Sequence, residues 1–400
     1  MKPNLLLKLQ TFGQSIWIDF IRRGMISCGE LQRLIEEDGI SGATSNPSIF
    51  EKAITGSHDY DEAIHALVLE GKSAEEIYRS VTVQDIQWVA DLLRPPYDRT
   101  DGRDGFVSLE VSPHLAYDTS GTIDEARLLW SLVQRPNLMI KVPATREGLP
   151  AIQQLASEGI NVNITLLFGL PRYKEVANAY IAGLESLASK GGNLKQVASV
   201  ASFFLSRIDV LLDPILESKM RAGGLQAEIA TRLRGQVAVA SAKVAYQLYE
   251  EIFSSNRFRK LAERGARTQR LLWASTSTKN PAYRDTKYIE PLIGPNTINT
   301  LPVDTLAAYR DHGQPELTLD QDVSRAYHVL GDLSFAGIDI DTTTQQLEEQ
   351  GVQNFVSALD RLLVALQEKQ STVRTVAVES RHSMFDDGVR PSRKYDRKSM

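Results

Sequence analysis

The chain has 400 residues, 42% of them apolar and 24% charged, with a formal charge of −5 from 45 basic and 50 acidic side chains. That is the composition of an ordinary globular protein with ample core material, and it provides no basic field for nucleic acid or an anionic membrane. The only cysteine, Cys28, excludes an intrachain disulfide, and with no His pair or Cys cluster at ligand spacing no metal site is expected.

At the start of the chain, Leu5-Leu6-Leu7 gives way to Lys8 and Gln10. This is too short for the ~7–15-residue apolar core of a signal peptide, and no later stretch approaches the ~18 apolar residues of a membrane span. A cytoplasmic protein without a membrane segment is expected. Short apolar or β-branched runs then alternate with helical stretches, the pattern of parallel strands joined by crossover helices. Eight strands are expected, near 15–20, 39–44, 106–111, 137–142, 160–166, 197–204, 269–275 and 297–301. The fold class is therefore α/β, a (β/α)8 TIM barrel. At this length the barrel carries helical insertions, because one simple core rarely exceeds ~250–300 residues. The insertions are read at 59–93 and at 226–253, the latter with a Val237, Val244, Leu248 and Ile252 stripe. A closing helix is expected over 354–366, where Phe355, Leu359, Leu362 and Leu366 share a face. One domain over 1–368 follows. Residues 369–400 are polar and basic without an apolar period, and read as a solvated tail or, alternatively, a partner-binding one. Monomer and homodimer both stay open.

Strands of a parallel barrel are covered on both faces and should be apolar throughout, so charges within them are informative. Five strands break the rule near their C-terminal ends, where barrels of this class keep their active sites. Trp17 and Asp19 share a face of the first strand, and Ser108 and Glu110 a face of the third. Lys141 is the single charge in the fourth. Asn161, Asn163 and Thr165 alternate along the fifth, and Trp273 and Ser275 along the seventh. If these faces point inward, two acids, one amine, amides and hydroxyls converge at one mouth. Taken singly, each also has a plain structural use: a strand-end Lys snorkels to water, Asp19 and Glu110 cap or pair, Asn163 and Thr165 satisfy loop backbone.

Much chemistry is excluded by what is missing: no G-x-S-x-G elbow, no phosphate-binding P-loop, no G-x-G-x-x-G after a strand. His58 and His65 sit in an acidic helical segment and read as a solvated face. What remains is an amine nucleophile with carboxylate helpers, the equipment for imine chemistry on a carbonyl, needing no cofactor. Desolvation favours the neutral amine such chemistry requires, and a nearby carboxylate opposes it. Glu110 is accordingly expected to communicate with Lys141 through water rather than by direct contact.

Three segments carry a family resemblance. Thr44-Ser45-Asn46-Pro47-Ser48-Ile49-Phe50 resembles the T-[ST]-N-P signature of transaldolases, and Ile140-Lys141-Val142-Pro143-Ala144-Thr145 their Schiff-base lysine segment. The run from Gly159 to Phe168 resembles a third signature, and the likeness extends from about Gln14 to about Asp311. The resemblance implies a transaldolase of the non-oxidative pentose phosphate pathway. Such an enzyme moves a dihydroxyacetone unit between sugar phosphates, converting sedoheptulose 7-phosphate and glyceraldehyde 3-phosphate into erythrose 4-phosphate and fructose 6-phosphate. It implies that Lys141 attacks the ketose C2 carbonyl, that Asp19 takes the C4 hydroxyl proton, and that Glu110 and Thr165 order a water for the proton transfers. Asn46 and Asn163 would hold substrate hydroxyls. Ser202 and Arg207 match substrate contacts, Arg207 at the phosphate, and Phe204 matches a position linked to excluding water. Shorter family members have a second phosphate-binding Arg where this chain reads Trp273-Ala274-Ser275-Thr276-Ser277-Thr278-Lys279-Asn280, so Lys279 is the nearest substitute; the surroundings of Asp19 are more similar to the longer bacterial subgroup. Two other readings stand beside this one: a class I aldolase on fructose 6-phosphate or a related sugar phosphate, and a non-catalytic barrel scaffold.

Overall fold

A computed structural model describes residues 4–386. Its strands are β1 (Gln14–Ile18), β2 (Gly42–Ala43), β3 (Phe106–Glu110), β4 (Leu138–Pro143), β5 (Val162–Leu167), β6 (Ser199–Phe204), β7 (Gln269–Ala274) and β8 (Thr297–Leu301). They close in sequence order, all parallel, with β8 paired back to β1. Each expected run supplies one strand, so the fold is the (β/α)8 barrel. The shortest, β2, passes close against the Trp17 ring. A Cβ built on Gly42 would stand 2.3 Å from the Trp17 ring, so glycine is required for the strand to pass.

The barrel interior is layered. Toward its N-terminal end, Trp17, Met139, Val200, Arg270 and Ile298 line the floor. There the Trp17 indole donates to Asp104 Oδ1 at 2.7 Å, and Arg270 donates to Ser15 Oγ at 2.6 Å and to Thr297 O at 2.7 Å. These bonds plug the lower end, as side-chain layers do in this fold. Polar residues gather above, at the C-terminal ends. One expected face is turned the other way. On β7 it is Arg270 and Ala274 that line the interior cavities, whereas Trp273 donates its indole N–H to Leu292 O at 3.1 Å, as Gln14 Nε2 does from β1 at 2.7 Å. Only Ser275, at a positive φ of 55°, turns back toward the upper cavity.

Both insertions are helical. The first forms Asp61–Leu69 and Ala74–Leu92, and the second Leu225–Leu233 and Val237–Phe253. The Ala74–Leu92 helix starts with a capping box in which Ser73 and Glu76 satisfy each other's backbone N–H groups. Buried Asp85 on that helix accepts from Tyr60 Oη at 2.8 Å and from Arg23 Nε at 2.9 Å, and so ties the insertion to the loop after β1.

The expected closing segment belongs to a longer element, a C-terminal helix over Ile340–Asp386. Val352, Phe355, Leu359, Leu362 and Leu366 form its buried face. It continues past Lys369, where the tail is expected to begin: Lys369 Nζ pairs with Asp61 at 2.6 Å, and buried Gln370 donates to Lys72 O at 2.6 Å. Those contacts are polar, which is why an apolar period does not report them. The rest of the expected tail, 387–400, lies outside the described residues. Among the described residues, no helix is long and apolar enough to cross a membrane.

Removing one partner of a buried ion pair leaves the other uncompensated, at about 3–5 kcal/mol. Asp85→Ala is therefore expected to lower unfolding free energy by roughly that amount, with Asp85→Asn losing less because it still accepts from Tyr60. Urea denaturation followed by circular dichroism checks the order of the two variants.

Candidate active site

A cavity of about 970 Å³ opens at the C-terminal ends of the strands. It is lined by Asp19, Asn46, Lys141, Ser202, Phe204, Arg207 and Lys279, together with Thr44, Lys52 and Phe355. Parallel strands aim their last inward side chains into this space. The remaining three candidates, Glu110, Asn163 and Thr165, are buried, the first two level with Lys141 and Thr165 two residues farther along β5.

Lys141 is at the centre. Its strand is paired so that Lys141 stands opposite Glu110 on β3 and opposite Asn163 on β5. Its Nζ lies 3.1 Å from Glu110 Oε2 and donates to Ser45 O at 3.1 Å. The expectation of contact only through water is thus corrected: equal register on adjacent parallel strands brings two inward side chains together directly. The two side chains are 4% and 2% exposed, so the pair is screened by protein rather than solvent. Burial pushes the Glu110 carboxyl above the ordinary range, and the Lys141 charge opposes that shift. Apart from this ion pair, neither Glu110 oxygen has a hydrogen bond among the described residues, and buried Thr165 Oγ1 has none there either.

A chain of hydrogen bonds fixes the floor around the amine. Ser45 Oγ donates to Ser108 O at 2.8 Å, Asn163 Nδ2 to Ser108 Oγ at 2.9 Å, and Ser202 Oγ to Asn163 Oδ1 at 2.7 Å. The last two bonds leave Asn163 with a defined orientation. Next to Thr165 the β5–β6 register shifts between Ile164 and Leu167, and Leu166 adopts φ 55°. Such bulges re-aim side chains beside active sites. Asn46 has two duties, for its Oδ1 accepts from Ile49 N at 3.0 Å and caps the helix Pro47–Thr55 while the residue also faces the cavity.

Asp19 sits one residue beyond β1. It keeps part of its surface on the cavity and is otherwise enclosed, accepting from Thr44 Oγ1 at 2.7 Å; Thr44 in turn meets Thr300 Oγ1 at 2.9 Å. Burial raises the Asp19 carboxyl above its ordinary value, while Lys141, the Thr44 bond, Lys279 and Arg207 pull it down. Across the cavity, Arg207 stacks over Phe204 at 5.7 Å, and Lys279 Nζ donates to Ser277 Oγ. Among the described residues no carboxylate lies at ion-pair distance from either cation. Burial lowers both from their ordinary values, and for Lys279 the nearby Arg207 and Lys52 lower it further. Cations gathered this way favour a strongly charged anion such as a phosphate. No group of three or more His, Cys, Asp or Glu side chains is placed to hold a metal among the described residues.

Residues 16–366 match the family model described as Transaldolase/Fructose-6-phosphate aldolase. The chain belongs to the transaldolase family. A protein named Transaldolase from Thiobacillus denitrificans is 47% identical over 363 residues, covering 91% of this chain and 99% of its own. Transaldolases from Trichodesmium erythraeum and Saccharopolyspora erythraea are 46% and 45% identical, covering 92% and 90% of this chain and 98% and 96% of theirs. Membership of the transaldolase family thus extends beyond the barrel signatures and into the C-terminal helix, to Leu366.

Of the ten expected site residues, seven line the cavity, and Glu110 and Asn163 join them through Lys141 and Ser202. Thr165 is placed by register alone, opposite Pro143 two residues after Lys141. Sequence reasoning missed Thr44, Ser45 and Ser108, whose bonds orient Asp19, Lys141 and Asn163. The first two stand inside the quoted signature, so a signal was present. Lys52 and Phe355 were also missed; Lys52 lies one helical turn after Ser48, and Phe355 reads as an ordinary core residue.

Proposed function

We propose that this chain transfers a dihydroxyacetone unit from a ketose phosphate, fructose 6-phosphate or sedoheptulose 7-phosphate, to an aldose phosphate through a Schiff base on Lys141. The observation that carries this reading is a buried amine 3.1 Å from a carboxylate, in a cavity that also holds Asp19 and three cations, Arg207, Lys279 and Lys52, with no carboxylate at ion-pair distance among the described residues. In this reading the ammonium passes a proton to Glu110, and the neutral amine adds to C2 of the ketose. Loss of water gives the iminium. Glu110 and Thr165, with acceptor and donor atoms otherwise unused, hold the water that relays these protons.

Asp19 then takes the proton of the C4 hydroxyl, the C3–C4 electron pair flows toward the iminium nitrogen, and the aldose phosphate leaves. The enamine on Lys141 attacks an acceptor aldehyde by the reverse sequence, and Asp19 returns its proton to the new hydroxyl. Asn46, Asn163 and Ser202 hold substrate hydroxyls, and Arg207 with Lys279 takes the phosphate. Phosphorylated substrates do not cross membranes unaided, and we place the reaction in the cytoplasm. The family description also covers fructose 6-phosphate aldolase, in which dihydroxyacetone would be released to water instead.

Fructose 6-phosphate supplied with erythrose 4-phosphate should yield sedoheptulose 7-phosphate, with little dihydroxyacetone when the acceptor is left out. Equal turnover without acceptor would show an aldolase. Borohydride added with fructose 6-phosphate should attach a three-carbon mass to the peptide containing Lys141. Lys141→Arg should abolish that label and lower kcat/KM by roughly 10⁴–10⁶-fold.

A pH test addresses Asp19. As the base it must be ionised, so the acid limb of kcat/KM should lie above the ordinary aspartate range, the direction in which burial moves it. Lys279→Met removes a charge that lowers Asp19, so the limb should move further up in pH. The same change should raise KM for the phosphorylated ketose by about tenfold, one lost charge-assisted contact. A limb that stays in place or moves down contradicts the assignment.

A further inference from the structure

Phe355 reaches the active site from outside the barrel. Its ring centroid lies 5.9 Å from Lys141 Nζ, the residue is 2% exposed, and it lines the same cavity as Asp19 and Arg207. Among the described residues it is the one side chain of the C-terminal helix that does so. The helix is seated closely at this point. Gly351, one turn earlier, faces Leu166, and a Cβ there would come within 2.8 Å of the Leu166 side chain, next to Thr165. Beyond Phe355 the helix is pinned by Asp360 to His114 at 2.8 Å and by a two-pronged bond from Arg361 to Glu51 at 2.6 and 2.9 Å. Glu51 lies on the helix that Asn46 caps, so the pin holds the cavity wall and its cover together.

We propose that Phe355 is a specificity-determining residue, a cover over the Lys141 nitrogen that directs the enamine to the acceptor rather than to water; this rests on Lys141 being the Schiff-base lysine. Two fates compete for the enamine. In transfer, its C3 forms a bond to the acceptor aldehyde carbon, the aldehyde oxygen takes a proton from Asp19, and water then adds to C2 and breaks the C2–N bond. In loss, C3 takes a proton instead, and the resulting iminium adds water and releases dihydroxyacetone and the free amine. Both end with the same amine. Only the first needs the acceptor, and only the second is accelerated when solvent reaches C3. A benzene ring supplies no proton and occupies the space from which water would approach.

The test is a partition ratio, which general damage to the fold does not move. With fructose 6-phosphate and erythrose 4-phosphate, dihydroxyacetone released per sedoheptulose 7-phosphate formed is measured for the wild type, Phe355→Ala and Phe355→Leu, with borohydride labelling of Lys141 in parallel. Phe355→Ala should raise the ratio roughly tenfold, a modest change in relative barrier, and Phe355→Leu less, because it keeps the apolar volume. An unchanged ratio in a labelled Phe355→Ala overturns the proposal alone. If Phe355→Ala fails to fold and takes no label, an unchanged ratio in Phe355→Leu overturns it. No label on wild-type Lys141 overturns the Schiff-base reading, and this proposal with it.

Discussion

The ion pair between Lys141 and Glu110 is the constraint around which the upper barrel is arranged. Moving two charges out of water is expensive, and replacing a buried pair with apolar side chains of similar volume is often neutral or stabilising by about 1–4 kcal/mol. Stability alone therefore does not account for a pair 4% and 2% exposed. A carboxyl lifted by burial beside an amine is, however, a proton reservoir in contact with a nucleophile. The surrounding bonds are arranged about it: Ser45 O accepts from the amine, and Ser108, Asn163 and Ser202 satisfy one another.

The eight strands were legible because a parallel barrel needs apolar runs of that length, and the polar exceptions at their ends were legible for the same reason. Which side chains meet was not. Period two separates the two faces of a strand without saying which one is inside, and when both faces are buried the apolar residues cannot arbitrate. Trp273 shows the failure: it reads like Trp17, yet one bonds to Asp104 on the barrel floor and the other to Leu292 O beside the barrel. Register between strands is a property of closure and shear, not of any one segment. That is why Glu110 and Lys141 were both identified but their contact was not. The resemblance supplied roles that physical reading left open, Asn46 and Arg207 among them, since a cap and an isolated Arg have common structural uses.

Charge is distributed across the cavity in a way that orients a substrate. Asp19 and Glu110 stand with Lys141 near the strand ends, while Arg207, Lys279 and Lys52 line the same cavity with no carboxylate at ion-pair distance among the described residues. In the proposed reaction, a ketose with its carbonyl near one end and a phosphate at the other would be held in one direction by such an arrangement, because reversing it would set the phosphate against two acids. Arg207 and Lys279 oppose the upward shift that burial gives the Asp19 carboxyl. In the proposed reaction, substrate binding and base strength are coupled through one electrostatic field: a phosphate that neutralised Arg207 and Lys279 would weaken their pull on Asp19 and make it a stronger base.

The completed site depends on contacts that are remote along the chain. Asp19 and Lys141 come from early strands, yet the amine is covered by Phe355, and the cover is pinned through Arg361 to Glu51, 310 residues away. Barrel closure itself is as remote, since β1 pairs with β8 across 283 residues (Gln14 with Thr297), so cover and barrel both rest on contacts that span nearly the whole chain. An open barrel would still present its nucleophile and both acids, but it would present them to water. Exclusion of solvent is then a property of the finished tertiary structure, whereas the nucleophile and its acid are a property of two neighbouring strands.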